Sequence, residues 1–436
     1  MSYELNCYEL NCHELSFISY ELSAMSYLQA IPRYAVYALL IFTPLARASV
    51  QGWAITTINM VTVIALAAFL LNKSMTWDWK WISTPLDKPI FILIILSILS
   101  TIFSLHHHTS IWSFILLLNY ITIFYVTIHL IRTRSEFKQI VYLIIGIATF
   151  LSVFGLFKKF GANPFPWWDY GDLKYSPDFI SATYGNRNHL AGYMEMTIPL
   201  ILGLFLTGYK GGKLFLMIYL TFLLITALVL SLSRGGWIGF LLGLSFMAIA
   251  LLTNRYFKRK GFLIAAVCGS LALALIVLAS TPVVERIRTF EQKEETPNLR
   301  ARVAVWGGIT KMIQDYPLLG TGPGTFATVF TQYQPPGYAG RYFYGHNDYL
   351  HFISETGLLL IPIIIWMIIA LYKKGFYKLR YSGRLVRGTT LGAMSGVTAI
   401  LFHSISDFNL HIPANALLFA ILAAIVVAPI PKHNAV

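Results

Sequence analysis

Apolar residues fall in long blocks along this chain, separated by short polar segments. The blocks predict about twelve membrane-crossing helices, at roughly 34–50, 53–71, 90–105, 111–131, 140–157, 190–207, 214–232, 235–252, 262–280, 350–371, 388–405 and 412–430. A soluble helical array would need polar outer faces, and these blocks carry none. The expected fold is an all-α polytopic membrane protein.

Composition agrees. Hydrophobic residues make up 56% of 436 positions and charged residues 12%, about half the charge of a soluble domain. The formal charge of +14 raises nucleic acid as a partner, but its distribution excludes that. Basic residues cluster in every second loop: Lys73, Lys80 and Lys88; Arg132, Arg134 and Lys138; Lys210 and Lys213; Arg255, Lys258, Arg259 and Lys260; and a last group from Lys373 through Lys378 to Arg387. This is the footprint of membrane topology, and it predicts that both termini are cytoplasmic. Cys7, Cys12 and Cys268 offer no disulfide framework or zinc spacing.

Residues 1–24 repeat a five-residue unit, "YELNC", and lack the basic and apolar regions of a signal peptide. They are expected to be a non-native extension ahead of Met25, with 25–436 as a single membrane domain. N-terminal sequencing of the mature chain tests this.

Two polar segments interrupt the helices on the outward side. One spans about 158–189. The other spans about 281–349 and contains a helical stretch near "RARVAVWGGITKMIQDY". Long polar loops in a compact membrane protein usually carry function. Chemistry on this side has no ready supply of ATP or nucleotide sugars.

Ionisable residues at the membrane rim are costly and point to function. Arg47 suits a snorkelling role. Arg234 stands in the tight turn "SLSRGGWIG", where Gly235 and Gly236 leave room for an anion to approach the guanidinium. Arg288 follows the ninth span. Arg300 and Arg302 open the loop helix, where they either decorate a solvated face or meet a ligand. Asn186 and Asn188, in "YGNRNHLAGY", suit hydroxyl-rich ligands and equally suit helix capping. His403 and Asp407 lie in "HSISDFNLH".

The densest cluster is "GHNDYLHFISETG", residues 345–357. Read as one helix, it places His346 and Gly357 on nearly one face, and Asp348, His351 and Glu355 on another. The spacing is not that of a zinc-binding HExxH helix, so no metal and no cofactor is expected. His346 suits a general base or a substrate-positioning role, and His351 suits a hydrogen bond to a neighbouring helix. The glycine-rich "GTGPGTF" (320–326) could cradle a phosphate with its N–H groups, but reads better as an ordinary loop.

These stretches occur in an order that resembles the O-antigen ligase and polymerase-related membrane superfamily. The resemblance covers roughly residues 180–430. It rests on "GNRNHLAGYMEMTIPL", "LSLSRGGWIGF", "RVAVWGGITKMIQDYPLLGTGPGTF", "HNDYLHFISETGLL" and "HSISDFNLHIPANALLFAILA". His346, ten residues and Gly357 resemble the ligases' His-x10-Gly motif, and Arg234 matches the family's arginine at a span junction. Arg288 is similar in placement alone.

The resemblance implies a metal-independent, inverting glycosyltransferase of the bacterial inner membrane with a periplasmic site. The donor would be a glycan on undecaprenyl diphosphate and the acceptor a sugar hydroxyl of lipid A–core. His346, Arg234 and Arg288 would be catalytic; Arg300, Arg302, Asn186, Asn188, Asp348, Glu355 and Asp407 would contact substrate. A repeat-unit polymerase and a protein O-oligosaccharyltransferase share these motifs. A lipid-linked glycan transporter is disfavoured by the lack of an internal repeat and of a charged pair at mid-membrane.

Overall fold

The computed structural model describes residues 12–165, 178–253, 261, 297–337 and 341–430, with side chains except at 12–27 and 297–300. The span expected at 262–280, and Arg288, lie outside the described residues. Every regular element among the described residues is a helix, with no strand. In order they form α1 (Cys12–Leu45), α2 (Gly52–Met75), α3 (Asp87–Ile102), α4 (His107–Leu130), α5 (Arg134–Lys159), α6 (Arg187–Phe205), α7 (Gly212–Leu230) and α8 (Arg234–Thr253). Then follow α9 (Pro297–Asp315), α10 (Phe326–Val329), α11 (Asp348–Thr356), α12 (Leu360–Tyr381), α13 (Arg384–His403) and α14 (Pro413–Val427).

Among the described residues, eight helices are long and apolar enough to cross a membrane: the Leu28–Leu45 part of α1, then α2, α4, α5, α7, α8, α12 and α13. The expectation of an all-α polytopic membrane protein is met. α3, α6 and α14 occupy three more of the expected positions, but α3 and α14 have only 16 and 15 residues. α6 is buried without a break from His189 to Phe205, and α14 over nearly all its length. Both are surrounded by other helices of the chain, so their apolar surface packs on protein.

Two expected boundaries are corrected. The span placed at 350–371 is two helices, α11 and α12, parted at Gly357. This glycine has φ 83°, and a Cβ there would collide with the Leu318 carbonyl. The apolar run continues across the break, so hydropathy merges the two. The last basic group is not a loop either, because α12 runs on to Tyr381. Within it Lys378 is fully buried and donates to the Ile425 and Ala428 carbonyls (2.8 and 3.1 Å) at the C-terminus of α14. A lysine satisfies carbonyls that the helix end leaves without intrahelical partners.

Close backbone packing sets the centre. Gly388, Gly392 and Gly396 form a four-residue stripe on α13, and a Cβ at each would run into the α6 backbone at Gly203, Pro199 and Met196. Small residues at this spacing let membrane helices approach to backbone contact. α8 meets α13 the same way, through Gly239 and Gly243 against the Ala399 and Ser395 carbonyls. The N-termini of α6 and α8 therefore share one end of the bundle with the C-terminus of α13. A small second core, from Val305, Ile309 and Met312 of α9 with Phe326, Val329 and Phe330, covers that end.

Candidate active site

α11 is pinned at both ends. Its N-cap Asn347 accepts from Leu350 N (3.0 Å). Asp348 is buried, and its carboxylate accepts from Ser404 Oγ (2.7 Å), Leu410 N (2.9 Å) and His411 Nδ1 (2.5 Å). Glu355 is buried at the other end and accepts from Gly324 N (2.8 Å) and Phe326 N (3.0 Å), with His351 Nε2 at 3.3 Å. Burial works to raise the Glu355 carboxyl, but His351, His411 and the Gly324 N–H outweigh it and hold it below the usual carboxylate range. The glycine-rich loop does cradle an anion, and that anion is the chain's own. Asp348 and Glu355, which the resemblance places at the substrate, tie α11 to residues 404–411 and 322–326.

His351 stacks on His411 at a ring distance of 3.9 Å and meets the tilted Phe326 ring at 4.3 Å. His351, Glu355 and His411 lie close enough to approach one ion. However, Gly345 N–H donates to His351 Nδ1 (3.4 Å). That places the ring proton on Nε2, facing Glu355, where a metal would have to displace it.

His346 is not helical. It has φ 50° and precedes the N-cap of α11, so the expected shared face with Gly357 does not exist. A left-handed histidine is uncommon, and such strain persists where the surroundings over-determine it. Here Trp306 Nε1 holds the Gly345 carbonyl (3.0 Å), and Asp348 N holds the Ser404 carbonyl (2.9 Å). The ring packs edge-on to Phe408 at 5.0 Å, and its Nδ1 lies 4.0 Å from Asp407 Oδ1.

Asp407 is where the candidates converge. It is buried, and it accepts from Asn188 Nδ2 (2.5 Å) and from Phe408 N (2.8 Å). His189 Nε2 lies at 3.7 Å and the Arg302 guanidinium at 3.9 Å. Arg302 also donates to the Ser406 carbonyl (2.7 Å). Arg234 is the first residue of α8, and next to it Gly235 packs so tightly that a Cβ would sit 2.6 Å from the His403 ring and 2.9 Å from Ser406 Oγ. The Arg234 turn is thereby held beside the 403–407 segment. His346 is 31% exposed at the side chain and Arg302 28%, enough for a ligand to reach both.

The electrostatics suit a neutral imidazole. Burial lowers the His346 pKa, Asp407 opposes this, and the Arg302 guanidinium, with the His189 and His351 rings nearby, adds to the lowering. Burial also works to raise Asp407, but His189, His403 and Arg302 prevail and hold it far below the usual carboxylate range. A reaction needing neutral His346 keeps its rate through neutral pH and loses it only below the lowered pKa. Removing a cation, in Arg302→Gln, raises that pKa and moves the acid limb up in pH. Removing the anion, in Asp407→Asn, moves it down. A kcat/KM–pH profile reads the free-enzyme pKa. Limbs shifting the same way in both variants would contradict the assignment.

Asn186 caps α6 by accepting from Asn188 N (2.9 Å), so the capping alternative describes it. Only the backbone of Arg300 is described. The sequence reading left out His189 as a site residue, although it stands in the same polar stretch as Asn188. It also left out Phe408, which stacks on Tyr344 at 4.1 Å and touches both His189 and His346. No local pattern marks an aromatic hub. The sequence reading also left out a contact inside the bundle. Glu195 of α6 and His403 of α13, both buried, meet at 3.0 Å. The lone acid in "MEMTIPL" was the signal.

A family model described as O-antigen ligase matches residues 219–365. That segment takes in Arg234, Arg302, His346 and Gly357 and ends before Asp407. The fold and this match define the class: a polytopic membrane protein with a segment, about a third of the chain, that is similar to the O-antigen ligase family. No curated protein matches the chain.

Proposed function

We propose that the protein transfers a glycan from undecaprenyl diphosphate to a sugar hydroxyl of lipid A–core, at the periplasmic face of a bacterial inner membrane. The observation that carries this reading is the partly open His346 beside buried Asp407, with Arg302 and the Arg234 turn at the same end of the bundle.

In this mechanism Asp407 lies beyond Nδ1 and favours the tautomer whose Nε2 lone pair faces the acceptor. Nε2 takes the hydroxyl proton as the oxygen attacks the anomeric carbon of the donor sugar. The bond from that carbon to the diphosphate oxygen breaks with inversion, and undecaprenyl diphosphate leaves with the added negative charge. Arg234 and Arg302 oppose that charge, as does the positive end of α8. Arg234→Ala should lower transfer by about 10²–10³-fold with normal membrane insertion, the loss typical of one removed charge-stabilising group. Wild-type rates would remove Arg234 from the site.

All groups in this scheme are organic side chains, so transfer by purified protein should persist in EDTA. Loss of activity that added Mg²⁺ or Mn²⁺ restores would replace it with a metal-assisted mechanism.

A repeat-unit polymerase shares the family match and the donor and differs in its acceptor. A lipopolysaccharide gel of the deletion strain beside its complemented parent separates the two. Loss of every polymer-bearing band with undecaprenyl-linked polymer accumulating supports ligation, whereas core plus one repeat unit supports polymerisation. An unchanged gel would overturn both for lipopolysaccharide.

A further inference from the structure

A cavity of about 250 Å³ opens where the ends of α2 and α4 meet the start of α5 and the Leu28 end of the spanning part of α1. It is far from the Asp407 site. The His107 end of α4 adjoins the 320–326 loop, since Leu105 N donates to the Thr321 carbonyl (3.0 Å). The cavity is at the opposite end, roughly 35 Å along the helix at 1.5 Å per residue.

Arg33, Lys73 and Arg132 line it with Asp78 and Glu136, which leaves one net positive charge. Glu136 is engaged: it pairs with Arg33 and accepts from Thr133 N (2.9 Å). Lys73 Nζ donates to the Asp78 and Lys80 carbonyls (both 2.8 Å). Two atoms of these lining residues are shut off from solvent without a hydrogen-bond partner, the donor Arg33 Nε and the acceptor Asn72 Oδ1. A fitting ligand therefore brings an anionic oxygen for the arginines and an O–H or N–H for Asn72. Buried polar groups ordinarily find such partners.

The surroundings say where such a ligand comes from. The adjoining loop carries Trp77, Trp79 and Trp81, exposed by 86%, 57% and 52%. Exposed tryptophans at the ends of membrane-crossing helices mark the headgroup level of a bilayer, and basic pockets between such helices hold anionic headgroups. We infer that this cavity binds the headgroup of an anionic glycerophospholipid, its phosphodiester on Arg33 and Arg132 and a headgroup hydroxyl on Asn72.

The test is native mass spectrometry of the full chain released from vesicles of phosphatidylglycerol or phosphatidylcholine. The expected result is one phosphatidylglycerol retained at least about tenfold better than phosphatidylcholine, whose cationic choline is repelled by the arginines and offers no hydroxyl to Asn72. Soluble sn-glycerol 3-phosphate should not displace it. The R33Q/R132Q variant should lose the retained lipid. Asn72→Leu should weaken retention while leaving the Arg33–Glu136 pair intact, so it decides the matter if the double variant does not fold. Equal retention of both lipids, wild-type retention by Asn72→Leu, or displacement by the soluble phosphate would each overturn the inference.

Discussion

His346→Ala should lower glycan transfer by about 10²–10⁴-fold, the usual contribution of a positioned general base, and leave the protein folded in the membrane. The reason lies in what His346 does not hold. Its ring touches Phe408 edge-on and stands 4.0 Å from Asp407, too long for a hydrogen bond. Alanine also relieves nothing structural below, because Asp407 keeps its bonds from Asn188 and Phe408. The check is transfer by purified protein in parallel with its melting temperature. A loss of activity accompanied by a large fall in Tm would make His346 a structural residue, and wild-type transfer would remove it from the chemistry.

Nine residues further on, Glu355→Ala should do the opposite. It should destabilise the fold by about 3–5 kcal/mol, the range seen when one partner of a buried charged set is removed. Glu355 is fully buried and accepts from Gly324 N and Phe326 N with His351 alongside. Alanine leaves those donors with nothing to bind and frees the 320–326 loop from α11. A lowered Tm in detergent with faster proteolysis in the loop is expected. A wild-type Tm with abolished transfer would instead return Glu355 to the substrate, as the sequence first suggested.

The contrast between these two residues separates what could be read in the sequence from what could not. Twelve apolar blocks and loop-borne basic residues were enough for the membrane and for the all-helical fold, because the hydrocarbon core demands long apolar helices whatever their neighbours. Local motifs brought forward Arg234, Arg302, His346 and Asp407, since charge at a membrane rim is costly and therefore informative. His189, Phe408 and the Glu195–His403 pair escaped because their significance is a contact between segments far apart in the chain.

Helix periodicity also misled within 345–357. It placed Asp348, His351 and Glu355 on one face, which α11 keeps, but joined to Gly357 a His346 that stands outside the helix. Whether a polar side chain faces a substrate or a backbone N–H depends on what packs opposite, and the sequence records only its own side of that contact. Composition and hydropathy by themselves determined a helical membrane protein. Tertiary structure alone decided that Asp348 and Glu355 spend their charge inside the fold while His346 and Asp407 meet at its edge. Burial and hydrogen-bond satisfaction are properties of pairs of surfaces, and only folding brings the surfaces together.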